Sequence, residues 1–323
     1  MIIVTGGAGF IGSVFVGKLN AEGRDDVIIV DDLGSSAKWE NLVKRRYVDY
    51  LHKDKFLELV EADCVPFDVE AVVHLGACSA TTQRDADYLM KNNFHYTSIL
   101  ADWALKKGVR FLYASSAATY GDGARGFSDS DDITTTLRPI NMYGYSKHLF
   151  DLKILREQKM VRMAGVKFFN VFGPNEYHKG EMTSVIFKAF HQIRETGRVK
   201  LFKSYKAEYP DGGQRRDFVY VKDCVDVLWW LLNHHAVNGI FNLGTGTARS
   251  WNDLVGAVFA AMELPVAIDY IEMPEGLRGQ YQYFTEAKMD KLRNTGCRAS
   301  FRPLEKAVDD YVKNHLLQSD QYL

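Results

Sequence analysis

The chain has 323 residues, 46% of them hydrophobic and 25% charged, with a formal net charge of −1. That balance leaves no electrostatic footprint for nucleic acid or an anionic membrane. The four cysteines, Cys64, Cys78, Cys224 and Cys297, never form a C-x-x-C pair, which speaks against a zinc knuckle or a secreted disulfide framework. The opening residues carry no basic and apolar leader, and no run reaches the roughly eighteen apolar residues of a bilayer span. A soluble, cytoplasmic protein with reduced thiols, no metal and neither nucleic-acid nor membrane partner is expected.

In chain order, Ile2 to Thr5 is a short β-branched strand that breaks into Gly6-Gly7-Ala8-Gly9-Phe10-Ile11-Gly12, followed by a helical pattern from Ser13 to about Ala21. Gly7, Gly9 and Gly12 have the G-x-G-x-x-G spacing, between strand and helix, where backbone amides and a helix N-terminus can hold a pyrophosphate. A second strand, Val27 to Val30, ends in Asp31, nineteen residues beyond Gly12, the distance at which a carboxylate meets an adenosine ribose. The basic clusters Lys44-Arg45-Arg46 and Arg215-Arg216 read as solvated helix ends or anion sites.

Strands are predicted at Val69–His74, Val109–Ser115, Val166–Asn170 and Ile240–Leu243, with a long helix over Ala86–Lys107. This alternation implies an α/β fold, a Rossmann-type doubly wound parallel sheet with ligands at the carboxyl ends of its strands. Gly76, Ser116, Asn170 and Gly244 follow strands there and could each touch a cofactor. Past Asn170 the texture changes to polar loops and to helices at Ser184–Thr196, Lys222–Asn233, Ser250–Met262, Glu286–Leu292 and Pro303–Leu317. Residues 1–171 with about 216–248 are therefore expected to form a dinucleotide-binding domain, and about 172–215 with 249–323 a smaller α/β substrate-binding one. His234-His235 lacks companion ligands and reads as a helix end.

Tyr143 and Lys147 lie four apart, one turn apart on a helix face, so the ammonium can lie near the phenol and favour the phenolate. A tyrosine so lowered from about 10 could exchange a proton with an alcohol near neutral pH. Alone, the pair also fits a solvated helix face; the nucleotide fingerprint upstream gives it a chemical reading.

Together with Tyr113-Ala114-Ser115-Ser116-Ala117-Ala118-Thr119-Tyr120-Gly121, these runs resemble the extended short-chain dehydrogenase/reductase superfamily over nearly the full chain. Gly76-Ala77-Cys78-Ser79 and His178-Lys179-Gly180-x-Met182 narrow the likeness to its ADP-L-glycero-D-manno-heptose 6-epimerases, which supply heptose for the bacterial lipopolysaccharide inner core. The resemblance implies an isomerase that oxidises C6 to a ketone on bound NADP and returns the hydride to the other face. It implies Tyr143 and Lys179 as acid/bases for opposite epimers, Ser116 as a hydrogen-bond donor to the reacting oxygen, and Lys147 as a cofactor-positioning residue. Lys179 could instead be a phosphate contact, and Ser116 a strand-end cap.

The same resemblance implies dinucleotide contacts at Gly6, Gly9, Phe10, Ile11, Gly12, Asp31, Asp32, Lys38, Lys53, Leu75, Gly76, Ala77, Cys78, Ser79, Asn92, Lys147 and Val171. For the nucleotide sugar it implies Asn170, Glu181, Lys188, Arg216, Tyr281 and the run Phe202-Lys203-Ser204-Tyr205, and for assembly a homo-oligomer, a pentamer. Asp31 alone favours NAD, whereas Lys38 and Lys53 match lysines of relatives that use NADP; NAD stays open. The chain departs from the pattern at Glu181, at Gln280 before Tyr281, and in a loop lengthened over Glu208–Gln214, all at the nucleotide end. Alternatives are a UDP-hexose 4-epimerase or a related nucleotide-sugar enzyme and, more remotely, a non-catalytic dinucleotide-sensing regulator.

Overall fold

The computed structural model describes residues 1–278 and 281–323, so Gln280 lies outside the described residues. In the first half, β1 (Ile2–Thr5), α1 (Phe10–Ala21), β2 (Val27–Asp31), β3 (Asp49–His52), α2 (Lys53–Glu61), β4 (Ala71–His74), α3 (Ala86–Leu89), α4 (Tyr96–Lys107), β5 (Arg110–Ser116), α5 (Asp131–Thr136), α6 (Met142–Arg156) and β6 (Met163–Phe168) alternate. The second half adds β7 (Asn170–Phe172), α7 (Val185–Thr196), β8 (Val199–Phe202), β9 (Arg215–Arg216), β10 (Phe218–Tyr220), α8 (Val221–Asn233), β11 (Gly239–Leu243), β12 (Arg249–Ser250), α9 (Trp251–Ala261), β13 (Ile268–Ile271), α10 (Glu275–Arg278), α11 (Asp290–Asn294) and α12 (Leu304–Tyr311).

Seven strands form one parallel sheet in the order β11-β6-β5-β4-β1-β2-β3. Its inner strands β1, β2 and β4 are buried along their whole length because both faces are covered, whereas β3 at the edge is polar and partly exposed. Ile2, Val4, Val27, Ile29 and Val73 face one core with Val14 and Phe15 of α1 and Leu228 of α8. Ile3, Ile28, Val72 and Phe111 face the other with Phe56, Leu100 and Phe150 of α2, α4 and α6. Each such side chain contributes about 1.5–3 kcal/mol when fully buried. The first core runs on without a break into α7, α9 and α12 through Phe190, Phe259 and Val308. Around those helices sit three two-stranded pairings, β10 with β7, β12 with β9 and β13 with β8.

Several predicted boundaries move. The helix expected from Ser13 starts at Phe10, because the Ser13 amide already donates to the Gly9 carbonyl at 3.0 Å. The strand expected over Val166–Asn170 splits: β6 ends at Phe168, and Asn170 pairs with Phe218 in a separate two-stranded sheet. The helix expected at Glu286–Leu292 begins only at Asp290, since the Glu286 carboxylate accepts from the Ala248 amide and the Ala287 amide donates to buried Asp217. The predicted helix over Pro303–Leu317 is α12 followed by a π-turn at Val312–Leu316. Ala86–Lys107 is likewise interrupted by a π-turn over Met90–His95.

Behind β5 lies a buried ion pair. Lys167 Nζ is 2.8 Å from Asp151 Oδ2, and neither side chain has any exposed surface. Tyr113 and Ser115 donate their hydroxyls to the same carboxylate at 3.0 and 2.7 Å, and the lysine also meets Thr119 Oγ1 at 2.8 Å. This ties β5, β6 and α6 together with every polar atom partnered. Removing one charge strands the other, which costs about 3–5 kcal/mol. Lys167→Met is accordingly expected to lower unfolding free energy by about that amount in urea denaturation, and the double variant Lys167→Met/Asp151→Leu to recover part of it; a single variant as stable as the parent would refute the assignment.

Candidate functional site

The carboxyl ends of β1, β2, β4, β5 and β6 converge on one groove, and its floor is glycine for steric reasons. Gly6 has φ +66°, and a Cβ there would sit 2.6 Å from the Gly76 amide nitrogen. A Cβ on Gly12 would lie 2.0 Å from the Gly6 carbonyl oxygen, so α1 can start flush against the turn only without a side chain. Gly9 caps that helix, and its amide donates to Gly6 at 2.9 Å. The turn and the helix N-terminus thus form a cradle shaped for a pyrophosphate.

From this cradle a cavity extends past Gly6, Asp31, Asp32, Lys38, Lys53, Gly76, Ala77, Cys78 and Asn92. Asp31 is almost wholly buried: one oxygen accepts from the Ala8 amide at 2.8 Å, the other from the Asp32 amide at 2.7 Å and from the Lys38 ammonium at 2.5 Å. Its negative charge is therefore neutralised in place. The loop after β4 is held by Asn93, which accepts from the Cys78 amide at 2.9 Å and donates to the Cys78 carbonyl and to Ser146 Oγ, both at 3.0 Å.

A second cavity shares Ala77 with the first and is lined by Phe10, Ile11, Leu75, Ser79, Ser116, Tyr143, Lys147, Asn170, Val171 and Lys179. Helix α6 enters it under a tight constraint: Asn141 caps its first turn by accepting from the Gly144 amide at 2.7 Å, and a Cβ on Gly144 would stand 2.6 Å from the Ala118 carbonyl. This brings Tyr143 against Ser116, whose Oγ also accepts from the Ala118 amide at 3.1 Å. Lys147 is buried and donates to the Ala114 carbonyl at 2.8 Å.

Burial sets the electrostatics here. It lowers Lys147 to about 8, with Asp151 pulling back upward. It raises Tyr143 above its ordinary value, the hydrogen bond with Ser116 opposing. The expectation that Lys147 draws the phenol below 10 is thus corrected: the ammonium is committed to a backbone carbonyl, and desolvation dominates the tyrosine.

Lys179 stands on a short helical turn, Tyr177–Met182, that no periodicity announced. Burial lowers its pKa and the neighbouring Glu176 carboxylate raises it. Its ammonium lies 5.2 Å from the centre of the Phe10 ring. The loop is pinned from several sides. Asn175 donates to Ser13 Oγ at 2.9 Å, Ser184 and Tyr311 bond the Glu176 carboxylate, and Asn41 Nδ2 reaches His178 Nδ1 at 3.2 Å and the Ala8 carbonyl at 2.9 Å.

The residues expected at the nucleotide end are less gathered. Of these only Asn170 lines the cavity with Tyr143. Arg216 and Tyr281 meet each other, with Phe202 edge-on to Tyr281. Lys203 and Tyr205 are engaged with Glu272, beside Ser204, and Glu181 is a solvent-facing partner of Lys188. Gly244 does not reach the groove: it packs on Asp217 and Ala287, and Asp217 accepts from the Thr245, Gly246 and Ala287 amides. The structure adds Thr81 and Trp251 to the cavity wall and Tyr88 to the groove, side chains that no spacing in the sequence marked, and Met182 of the His178-Lys179-Gly180-x-Met182 motif lines the same wall.

The cradle, the neutralised carboxylate and the second cavity make one groove that runs from Asp31, Lys38 and Lys53 to Tyr143 and could hold an extended dinucleotide. Among the described residues no helix is long and apolar enough to cross a membrane. A protein named ADP-L-glycero-D-manno-heptose-6-epimerase from Nitratidesulfovibrio vulgaris (strain DP4) is 59% identical over 323 residues, covering 100% of both chains. One of the same name from Fusobacterium nucleatum is 49% identical over 332 residues, again covering 100% of both. Among solved structures, the Helicobacter pylori ADP-L-glycero-D-manno-heptose-6-epimerase superposes with a TM-score of 0.79 at 26% identity, covering 97% of this chain and 95% of that one. The Thermotoga maritima UDP-glucose 4-epimerase with UDP-glucose gives the same score and identity, covering 97% of each. The model of the NAD dependent epimerase/dehydratase family matches residues 2–244, and the chain belongs to that family, within the extended short-chain dehydrogenase/reductases.

Proposed function

We propose that the protein inverts C6 of ADP-glycero-manno-heptose through a transient 6-keto sugar, using NADP held throughout turnover. The observation that carries this reading is that Tyr143 and Lys179, thirty-six residues apart, line one cavity next to Ser116. The cofactor supplies the hydride acceptor and donor, and the protein supplies the protons. A tyrosine raised by burial stays protonated at neutral pH, which suits donation to a ketone, while a lysine whose ammonium is destabilised by burial gives up its proton more readily. Two groups serve the two epimers, whose hydroxyls point opposite ways. Ser116 holds the reacting oxygen, and Lys147 positions the nicotinamide ribose.

Relatives of that name at 59% and 49% identity support the substrate. Lys38 paired to Asp31, with Lys53 on the same wall, supports NADP, because a neutralised carboxylate no longer repels a 2′-phosphate. In this reading residues 1–171 with 216–248 hold the cofactor, residues 172–215 with 249–323 receive the nucleotide sugar, and the protein works in the cytoplasm as a homo-oligomer. A UDP-hexose 4-epimerase is the second reading, favoured by the equal fit to the Thermotoga maritima structure. Proton NMR with ADP-heptose and UDP-glucose side by side separates the two.

Tyr143→Phe is expected to lower the epimerisation rate by about 10²–10⁴ with NADP still released on denaturation, and turnover in deuterated water to leave C6 unlabelled; label at C6 would exclude hydride return. Lys147 provides a pH test. Its pKa is about 8 in the folded protein against 10.5 when exposed, so between these values the unfolded chain binds more protons and stability rises with pH. Relative to Lys147→Met, the wild type is expected to gain about 1–3 kcal/mol of unfolding free energy from pH 7 to 10 in urea titrations, whereas a constant difference would remove Lys147 from the buried site.

A further inference from the structure

Arg216 is 7% exposed, and among the described residues no carboxylate stands within ion-pair distance of it. What surrounds the guanidinium is aromatic: its carbon lies 5.7 Å from the centre of the Trp251 ring and 5.3 Å from that of Tyr281. Its terminal nitrogens donate to the Arg215 carbonyl at 2.8 Å and to the Gln282 carbonyl. A buried cation balanced only by ring faces and carbonyl dipoles keeps its capacity for an anion, since the remaining N–H groups have no acidic partner.

Trp251 links this cation to the reaction cavity. Trp251 lines the cavity that holds Tyr143 and Lys179, and it touches both Arg216 and Tyr281. The indole N–H donates to the Tyr281 hydroxyl at 3.0 Å, which leaves the phenolic hydrogen for another acceptor. The ring is fixed at the first position of α9: its amide donates to the Gln214 carbonyl at 3.2 Å, Ser250 and Asp253 form a capping box, and Phe218 packs 5.0 Å away. We propose that Trp251 is a positioning residue that locks Arg216 and Tyr281 into one clamp for the diphosphate of a nucleotide sugar. This rests on the nucleotide-sugar reading above and names the part of the wall that reads the nucleotide end.

The test compares Trp251→Phe, which keeps a ring and loses the N–H, with Trp251→Leu, which loses both. The dissociation constant for ADP is expected to rise a few-fold in the first and about ten-fold in the second, and KM for ADP-heptose to follow while kcat changes less than about three-fold and bound cofactor is unchanged. Of the five tryptophans, Trp251 alone lines this cavity, so the change in tryptophan emission on adding ADP to the wild type should vanish in both variants. Unchanged ADP affinity in folded, cofactor-loaded Trp251→Phe and Trp251→Leu would overturn the proposal; if the leucine variant does not fold, persistence of the emission change in the phenylalanine variant would do so. If ADP-heptose is not turned over by the wild type but ADP or UDP binding still depends on Trp251, the substrate reading fails and the clamp stands.

Discussion

Asp151, a carboxylate without exposed surface, determines where helix α6 lies, and the site follows from that. Its oxygens are filled by Lys167, Tyr113 and Ser115, so strand β5, strand β6 and the helix are held at hydrogen-bond distance from one anion. One turn earlier on the same helix, Lys147 meets the Ala114 carbonyl; one turn before that, Tyr143 meets Ser116 at the strand's end. Three successive turns of α6 thus meet the carboxyl half of β5, from Tyr113 to Ser116. A low-dielectric setting makes each of these contacts stronger than it would be in water and makes any unpaired member costly.

Three charged groups near the groove show different answers to desolvation. Asp31 is neutralised by a lysine and two amides. Lys147 stays close to a carbonyl and surrenders proton affinity. Lys179, with Glu176 beneath it, is pulled both ways. The first answer suits recognition, because the site presents a near-neutral surface to a ribose or its phosphate. The last suits proton handling, because a group whose charge is only marginally favourable can change state at modest cost.

The glycine fingerprint, Asp31, the Tyr143 and Lys147 pair and the alternation of strands were legible in the sequence because each is set by a few consecutive residues and one periodicity. The parallel sheet followed from that alternation. What escaped depends on residues far apart. Asp49–His52 is a strand only because β2 offers it an edge; its own residues alternate with polar ones and carry no apolar run. Gly244 reads as a strand-end glycine, yet its neighbour Asp217, twenty-seven residues away, decides that it packs inward. The direction of the Tyr143 shift depends on a similar separation: helical spacing places the lysine one turn away, but the carbonyl that captures its ammonium is that of Ala114 in strand β5. The Arg216, Tyr281 and Trp251 cluster likewise draws on three separated segments.

The π-turn between α3 and α4 has a geometric consequence. A wider turn accommodates an additional residue, and each α-helical residue advances the phase by about 100°. Tyr88 before it, Asn92 within it and Tyr96 just after it all line the groove beside Asp31 and Lys53. Downstream, Leu100 and Ala104 sit one turn apart and both look into the core beneath the sheet. Asn93, buried within the turn, spends its amide on the loop after β4 and on Ser146 of α6. A single segment thus serves as wall, clasp and core support in succession.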